Sequence, residues 1–145
     1  MGNVIKIGIS KKKRDKMLNL NLIEVIKGKG IVDDRYFKEN NNELCQITLI
    51  EIENINHFNN VSNSNIDAID FRRNIITKGV ELNKLLNKDF YVGEVKLKAH
   101  AFCRPCKYLQ NSLGKENLVE ELFDKAGLRC EILTSGKILV GDKIK

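Results

Sequence analysis

The amino-acid sequence predicts a mainly β fold with short helices, of the β or α+β class, closed into a compact barrel. Many short segments are rich in Val, Ile and Leu, and their apolar and polar side chains partly alternate, as in strands. Clusters of Asn and Gly separate these segments, as turns do. The strands do not alternate regularly with long helices. This argues against a doubly wound parallel sheet and favours a small mixed or closed barrel.

The first half of the chain is predicted to contain three strands. Residues 4–9 and 22–26 have the alternation of strands, and residues 44–52 are apolar on both faces, as in a central strand. The basic run 11–14 is interpreted as the solvated tip of a loop between the first two strands. The polar, asparagine-rich residues 54–65 are predicted to form another loop.

The middle of the chain is predicted to contain short helices and one long strand. Ser64 is a candidate helix cap, with Asp67 three residues later in the manner of a capping box. Residues 80–86 fit one or two helical turns. Residues 90–102 form the longest strand candidate, and Gly93 is expected to bend it, as barrel corners often require.

The last third of the chain is predicted to pair helices with two final strands. Helices are expected over residues 106–113 and 115–126, and the second has an apolar stripe with a glycine directly after it. Strands are expected over residues 128–133 and 138–140. Ser135-Gly136 lies between them and predicts a hairpin turn that joins them.

The length and composition predict one domain, residues 1–145, in a cytoplasmic protein. A chain of 145 residues is of single-domain size, and 42% hydrophobic residues are enough to form a core. The net charge of +6 is spread over the chain, so we expect a basic surface in solvent and no nucleic-acid partner. No apolar run approaches the roughly 18 residues needed to cross a bilayer, so no membrane association is expected.

Cys103-Arg104-Pro105-Cys106 is the motif with the most reactive chemistry. It has three functional interpretations: half of a zinc site, a redox pair, or one working thiolate with a bystander. A structural interpretation, two small buried hydrophobic residues, is also open. If one thiolate works, Cys106 is better placed, because it follows a proline that can start a helix. A zinc site would need two more ligands, for which Cys45, His57, His100 and Cys130 are the candidates.

Arg72-Arg73-Asn74 is a candidate anion-binding segment, because guanidinium groups bind phosphate and carboxylate oxygens in pairs. Neighbouring side chains on an extended segment point to opposite sides, so an alternative interpretation has one arginine in solvent and the other turned inward to bind an anion. Asp34-Arg35 is interpreted as a structural ion pair, and His100 as a core or edge residue.

These residues together resemble the MOSC domain family, named after the C-terminal domain of molybdenum cofactor sulfurase. The resemblance runs from about Glu24 to Lys145 and is strongest from Arg72 to Leu82. Further matching segments are Lys27-Gly28-Lys29-Gly30-Ile31, Asp34-Arg35, Gln46-Ile47-Thr48-Leu49, Gly93, Pro105-Cys106-x-x-Leu109, Gly127-Leu128 and Gly136-Lys137-Ile138-x-x-Gly141-Asp142.

The resemblance implies a compact β-barrel that handles the molybdenum cofactor, a molybdopterin with a dithiolene and a phosphate. Cys106, the cysteine of the Pro-Cys pattern, is expected to be the molybdenum ligand or the carrier of a persulfide sulfur. Arg72 is expected to hold the cofactor, with Arg73, Asn74 and Arg35 as further candidates. A soft thiolate suits molybdenum, and arginine suits the phosphate.

The function implied by the resemblance is that of a small stand-alone bacterial protein that binds or hands over the cofactor or its sulfur. The expected partners are a cysteine desulfurase, which would use its own pyridoxal phosphate, and enzymes of cofactor biosynthesis or acceptor enzymes. One alternative is a molybdenum-dependent reductase of N-hydroxylated bases or amidoximes with an external electron donor. Another is a zinc-stabilised interaction domain. Asp33-Asp34-Arg35-Tyr36 replaces the Gly-Asp-Arg-His of many relatives, which argues against a catalytic role for this loop.

Overall fold

The computed structural model describes residues 2–105, 110–111, 113–115 and 118–145. The strands in these residues are β1 (Gly2–Ile9), β2 (Leu18–Leu20), β3 (Leu22–Ile26), β4 (Gly30–Ile31), β5 (Ile47–Glu51), β6 (Ile75–Lys78), β7 (Asp89–Val92), β8 (Val95–Phe102), β9 (Leu128–Ile132), β10 (Gly136–Leu139) and β11 (Lys143–Ile144). The α-helices are α1 (Ile52–Val61) and α2 (Leu118–Glu121), and 3-10 helices span Ala68–Phe71 and Leu82–Leu85.

Seven of the described strands close into a barrel, in the order β1, β6, β5, β9, β8, β7, β11 and back to β1. The β5–β6 pair is parallel, and the other neighbours in the ring are antiparallel. β2 extends the sheet along β1, and β10, β3 and β4 form a separate three-stranded sheet. The mainly β barrel predicted from the sequence is therefore confirmed. None of the described helices is long and apolar enough to cross a membrane.

Two apolar clusters hold the strands together. The larger cluster includes alternate residues of the ring strands, such as Leu49, Ile75 and Leu97, all fully buried. The smaller cluster lies on the opposite side of β5 and β6, where Ile50 and Ile76 pack with residues of α1. β5 is thus buried on both faces, as the sequence predicts for a central strand, because a helix covers the face turned away from the larger cluster.

The predicted loop at residues 54–65 is wrong, because α1 occupies most of this segment. Its apolar residues recur every third position at Ile52, Ile55 and Phe58, and the last two are buried. The ring of Phe58 meets that of Phe71 edge to face, with centroids 5.9 Å apart. Burial of this apolar stripe outweighs the low helix propensity of the asparagines around it.

The single long strand predicted over residues 90–102 is also wrong. Gly93 has a φ of +59°, and Val92 pairs with Val95, so the chain reverses in a two-residue turn. β7 and β8 are therefore two antiparallel strands of one hairpin. A left-handed glycine is what such a tight turn needs.

The predicted hairpin between residues 128–133 and 138–140 does not form. β9 pairs with β5 and β8 in the barrel, whereas β10 pairs with β3 in the other sheet. The hydroxyl of Ser135 accepts a hydrogen bond from the backbone N–H of Lys27 at 2.8 Å. This contact directs the chain towards the smaller sheet.

Two predicted helix boundaries also differ. Asp67, and not Ser64, caps the helix at Ala68–Phe71, because its carboxylate accepts a hydrogen bond from the N–H of Ile69. α2 ends at Glu121, within the helix predicted over 115–126, and Phe123 of the predicted apolar stripe is 78% exposed. Most of the helix predicted over 106–113 lies outside the described residues.

Candidate functional site

A cavity of about 290 Å³ lies between the β1–β2 loop, the segment after β4, β5, the segment before β6, and β9. Its lining residues are Lys13, Arg14, Arg35, Tyr36, Cys45, Ile47, Thr48, Arg72, Arg73, Asn74, Arg104 and Arg129. Seven of these twelve residues are Lys or Arg, and none is Asp or Glu. In the whole chain only 25 of 145 residues are Lys or Arg. This concentration of positive charge suits an anionic ligand.

The adjacent arginines Arg72 and Arg73 both line the cavity, in contrast to the alternative in which only one of them turns inward. Arg72 has a left-handed backbone with a φ of +65°, which breaks the alternation of an extended segment. Its Nη1 donates to the carbonyl of Asp15 at 2.7 Å. Arg73 donates from Nε to the carbonyl of Ala126 at 2.9 Å and from Nη2 to that of Arg104 at 3.4 Å.

Asn74 is buried and hydrogen-bonds to two strands. Its Oδ1 accepts from the backbone N and the hydroxyl of Thr48 on β5, at 3.0 and 3.1 Å. Its Nδ2 donates to the carbonyl of Gly8 on β1 at 3.1 Å. The side chain thus fixes the backbone next to Arg73, while its predicted part in cofactor binding stays a prediction.

Arg35 and Asp34 form the ion pair predicted from the sequence, with 3.2 Å between Nη1 and Oδ1. The side chain of Arg35 is 8% exposed and that of Asp34 is 1% exposed, so the pair is largely excluded from water. The Arg35 guanidinium also lies 4.6 Å from the centre of the Tyr36 ring. Asp34 neutralises part of the charge that Arg35 brings to the cavity.

The β1–β2 loop contains cavity residues that the sequence interpretation missed. Residues 11–14 are exposed, as expected of a solvated loop, yet Lys13 and Arg14 line the cavity. Local sequence alone carries no signal for this, because a short basic run fits any solvated turn. Arg104 and Arg129 are two further cavity residues that were missed.

The described cysteines differ in burial and environment. Cys45 is half-buried and lines the cavity, a position that the sequence interpretation did not predict. Burial raises the pKa of Cys103, although the guanidinium groups of Arg73 and Arg129 act against this. Burial also raises the pKa of Cys130. Both buried thiols are therefore held in the protonated form at neutral pH.

Cys106, the predicted ligand or sulfur carrier, lies outside the described residues. Within the described part of the chain, one group of side chains is close enough to hold a metal ion: Glu43, His100 and Glu131. The Nε2 of His100 lies 2.7 Å from Glu131 Oε1 and 3.6 Å from Glu43 Oε2. This group contains no cysteine, so it gives no support to a zinc site built on Cys103.

The sequence model of the MOSC domain matches residues 38–145, which is well over half of the chain. The chain belongs to the MOSC domain family. This family is associated with the molybdenum cofactor. Comparison with curated proteins finds no similar sequence.

Solved structures with the same fold include YuaD from Bacillus subtilis, with a TM-score of 0.83 and 18% identity, covering 99% of this chain and 94% of YuaD. YiiM from Geobacillus stearothermophilus has a TM-score of 0.78 and 15% identity, with 99% of this MOSC chain and 74% of YiiM covered. YiiM from Escherichia coli has a TM-score of 0.77 and 13% identity, with 100% and 69% covered. At these identities the similarity establishes the shared fold.

Proposed function

We propose that this MOSC domain binds the molybdenum cofactor in the arginine-lined cavity and carries the cofactor or its sulfur to partner enzymes. The observation that supports the proposal is the seven cationic lining residues without a carboxylate among them. The donor set fits the cofactor, because guanidinium groups suit a phosphate and a cysteine thiolate suits molybdenum. When bound, the cofactor would supply a soft metal able to accept or give up a sulfur ligand.

In this proposal Arg72 and Arg73 hold the phosphate of the pterin. Both guanidinium groups are fixed by backbone carbonyls, so little side-chain entropy is lost when they bind. Asn74 positions Arg73 through its hydrogen bonds to Thr48 and Gly8. Arg35, whose charge Asp34 partly neutralises, adds a weaker contact.

Cys106 is proposed as the metal ligand or sulfur carrier. It follows the cavity-lining Arg104 by two residues in the sequence. As a carrier, its thiolate would attack the outer sulfur of a persulfide on a cysteine desulfurase, and the desulfurase thiolate would leave with the electron pair of the broken S–S bond. Cys103 is unsuited to this step, because burial raises its pKa and keeps the thiol protonated.

The proposal is tested by the molybdenum and pterin contents of protein purified from cells that make the cofactor. Wild-type protein should contain both. Cys106→Ala should lose molybdenum and keep pterin, and Arg73→Met should lose both. Cys103→Ala is the matched control in the same motif and should keep both.

Two results would contradict parts of the proposal. Wild-type protein with neither molybdenum nor pterin would contradict cofactor binding. Molybdenum retained in Cys106→Ala but lost in Cys45→Ala would assign the ligand to the described cysteine that lines the cavity.

A further inference from the structure

Two cavity arginines have a backbone conformation that arginine rarely adopts. Among the described residues, six non-glycine residues have positive φ, and four of these are Asp33, Asn40, Asn63 and Asn87. Asn and Asp tolerate this conformation well. The other two are Arg14, with a φ of +68°, and Arg72, with a φ of +65°, and both line the cavity. Strained backbone of this kind is often found where a side chain has a function.

The β1–β2 loop that presents Arg14 is fixed from two sides. The buried hydroxyl of Ser10 shares its single proton between the carbonyls of Lys12, 2.8 Å away, and Asp15, 3.1 Å away. Arg72 donates to the same carbonyl of Asp15 at 2.7 Å. The loop is thus tied to the segment that carries the proposed phosphate ligands, which suits a binding role better than that of a solvated turn.

The cavity has more positive charge than one phosphate requires. A phosphate monoester carries about two negative charges at neutral pH, which a pair of arginines such as Arg72 and Arg73 can bind. Lys13 and Arg14 bring a second cationic pair to the same cavity. A second anionic group on the ligand would relieve the repulsion between these pairs.

We propose that Lys13 and Arg14 form a second oxyanion subsite, so that the cavity takes a ligand with a diphosphate in place of a single phosphate. The half-exposed ring of Tyr36 lines the same cavity, and Arg35 lies over it. The ring offers a stacking surface to an aromatic base, so a nucleoside diphosphate group uses all of these features. The inference extends the proposed function, because the first phosphate is the one assigned to Arg72 and Arg73.

The test is calorimetric titration of the full chain with phosphate, pyrophosphate, AMP and ADP at one ionic strength. ADP should bind at least about tenfold more tightly than AMP.

The double variant Lys13→Asn/Arg14→Asn should lose about tenfold or more of the ADP affinity and change AMP affinity by less than about threefold. Lys11→Asn/Lys12→Asn is the matched control, because it removes the same charge from the same loop at residues that do not line the cavity. It should change ADP affinity by less than about threefold.

Equal affinity for ADP and AMP in the wild type, or an equal loss in the two double variants, would overturn the subsite. Pyrophosphate that binds as tightly as ADP, with the same dependence on Lys13 and Arg14, would support a subsite for the diphosphate alone. ADP that binds more tightly than pyrophosphate would support a nucleotide ligand if this difference in affinity is lost in Tyr36→Leu. No metal or pterin enters this titration, so its failure is distinct from failure of cofactor binding.

A second readout separates binding from a structural role of Arg14. Asparagine tolerates the left-handed backbone at this position, so Arg14→Asn should keep the fold, with Tm within about 3 °C of the wild type, while ADP affinity falls. A lower Tm together with unchanged ADP affinity would overturn the inference, because Arg14 would then support the loop and not the ligand.

Discussion

At the scale of single residues, the polar side chains that position the cavity form their hydrogen bonds within the protein. Asn74 and Ser10 are both buried. Ser10 bonds to the backbone of the loop that carries Arg14, and Asn74, next to Arg73, bonds to the backbone of β5 and β1. In the described part of the chain, no buried side-chain nitrogen or oxygen lacks a partner. The backbone segments that carry the arginines are therefore fixed in position, which favours tight binding of an anion.

Asn74→Ala should lower the free energy of unfolding by about 3 kcal/mol, because it leaves the N–H of Thr48 and the carbonyl of Gly8 without their partner. Urea denaturation measures this. Asn83→Ala removes one exposed hydrogen bond, to the carbonyl of Asp124, and is the control with an expected loss below about 1 kcal/mol. Equal losses would contradict the structural role of Asn74.

The buried thiols should make the protein less stable at alkaline pH. Burial raises the pKa of Cys130 above the ordinary value of 9.0, so the unfolded chain loses this proton at lower pH than the folded protein. The contribution of the protonated Cys130 thiol to the free energy of unfolding is complete below pH 9 and is lost as the pH rises above it. Between pH 9 and pH 10 the loss is about 1 kcal/mol for one thiol.

Urea denaturation at pH 9 and pH 10 measures this loss, and Cys130→Ala should show a smaller difference between the two pH values than the wild type. Ile132→Ala, on the same strand, is the control, because it removes buried apolar atoms but no titratable group and should leave the difference unchanged. If Cys130→Ala lost as much stability between pH 9 and pH 10 as the wild type, the raised pKa of Cys130 would not be the cause of the loss.

At the scale of elements, short-range patterns predicted the strands better than their connections. β1, β3 and β5 agree with the sequence because alternation records which faces are buried. α1 was missed because its asparagines obscure the apolar spacing of Ile52, Ile55 and Phe58. Likewise, nothing near Ser135 indicates that β10 pairs with β3, because strand partners are chosen by the tertiary fold.

Two asparagines of helix α1 test how tertiary contacts compare with intrinsic helix propensity. Asn59 bonds through its side chain to the backbone N–H and carbonyl of Ile66, at 3.1 and 3.0 Å. Asn59→Ala should therefore lower the free energy of unfolding by about 1–2 kcal/mol. Asn56 is exposed on the same helix, and Asn56→Ala should raise it by about 0.5 kcal/mol, because alanine is the better helix former. Thermal and urea unfolding should give opposite signs for the two variants, and equal signs would contradict this account.

At the scale of the whole molecule, the candidate site depends on segments that are distant in sequence. The cavity combines the β1–β2 loop, Arg72, Arg73 and Arg129, and the closed barrel brings them together. The Arg72 segment was recognisable from the sequence because its motif is contiguous. Lys13, Arg14, Arg129 and Cys45 were not, because only closure of the barrel makes them neighbours.

Closure depends on β11, which pairs with β1 on one side and β7 on the other. Ile144 of β11 is 2% exposed and belongs to the larger apolar cluster. Ile144→Ala should lower the free energy of unfolding by about 2–4 kcal/mol, because it leaves a cavity where the ring closes. Lys143→Ala, one position away on the exposed face, is the matched control and should change it by less than about 0.5 kcal/mol.

Hydrogen exchange shows where the barrel opens in Ile144→Ala. Protection should fall together for amides of β1 and β7, because both strands lose the same partner, and should persist in β3 of the smaller sheet. ADP affinity should fall as well, since β1 leads into the loop that carries Lys13 and Arg14. Loss of protection confined to β11 itself would mean that the seven-stranded ring is not one cooperative unit, and that the cavity is held by local contacts such as those of Ser10 and Asn74.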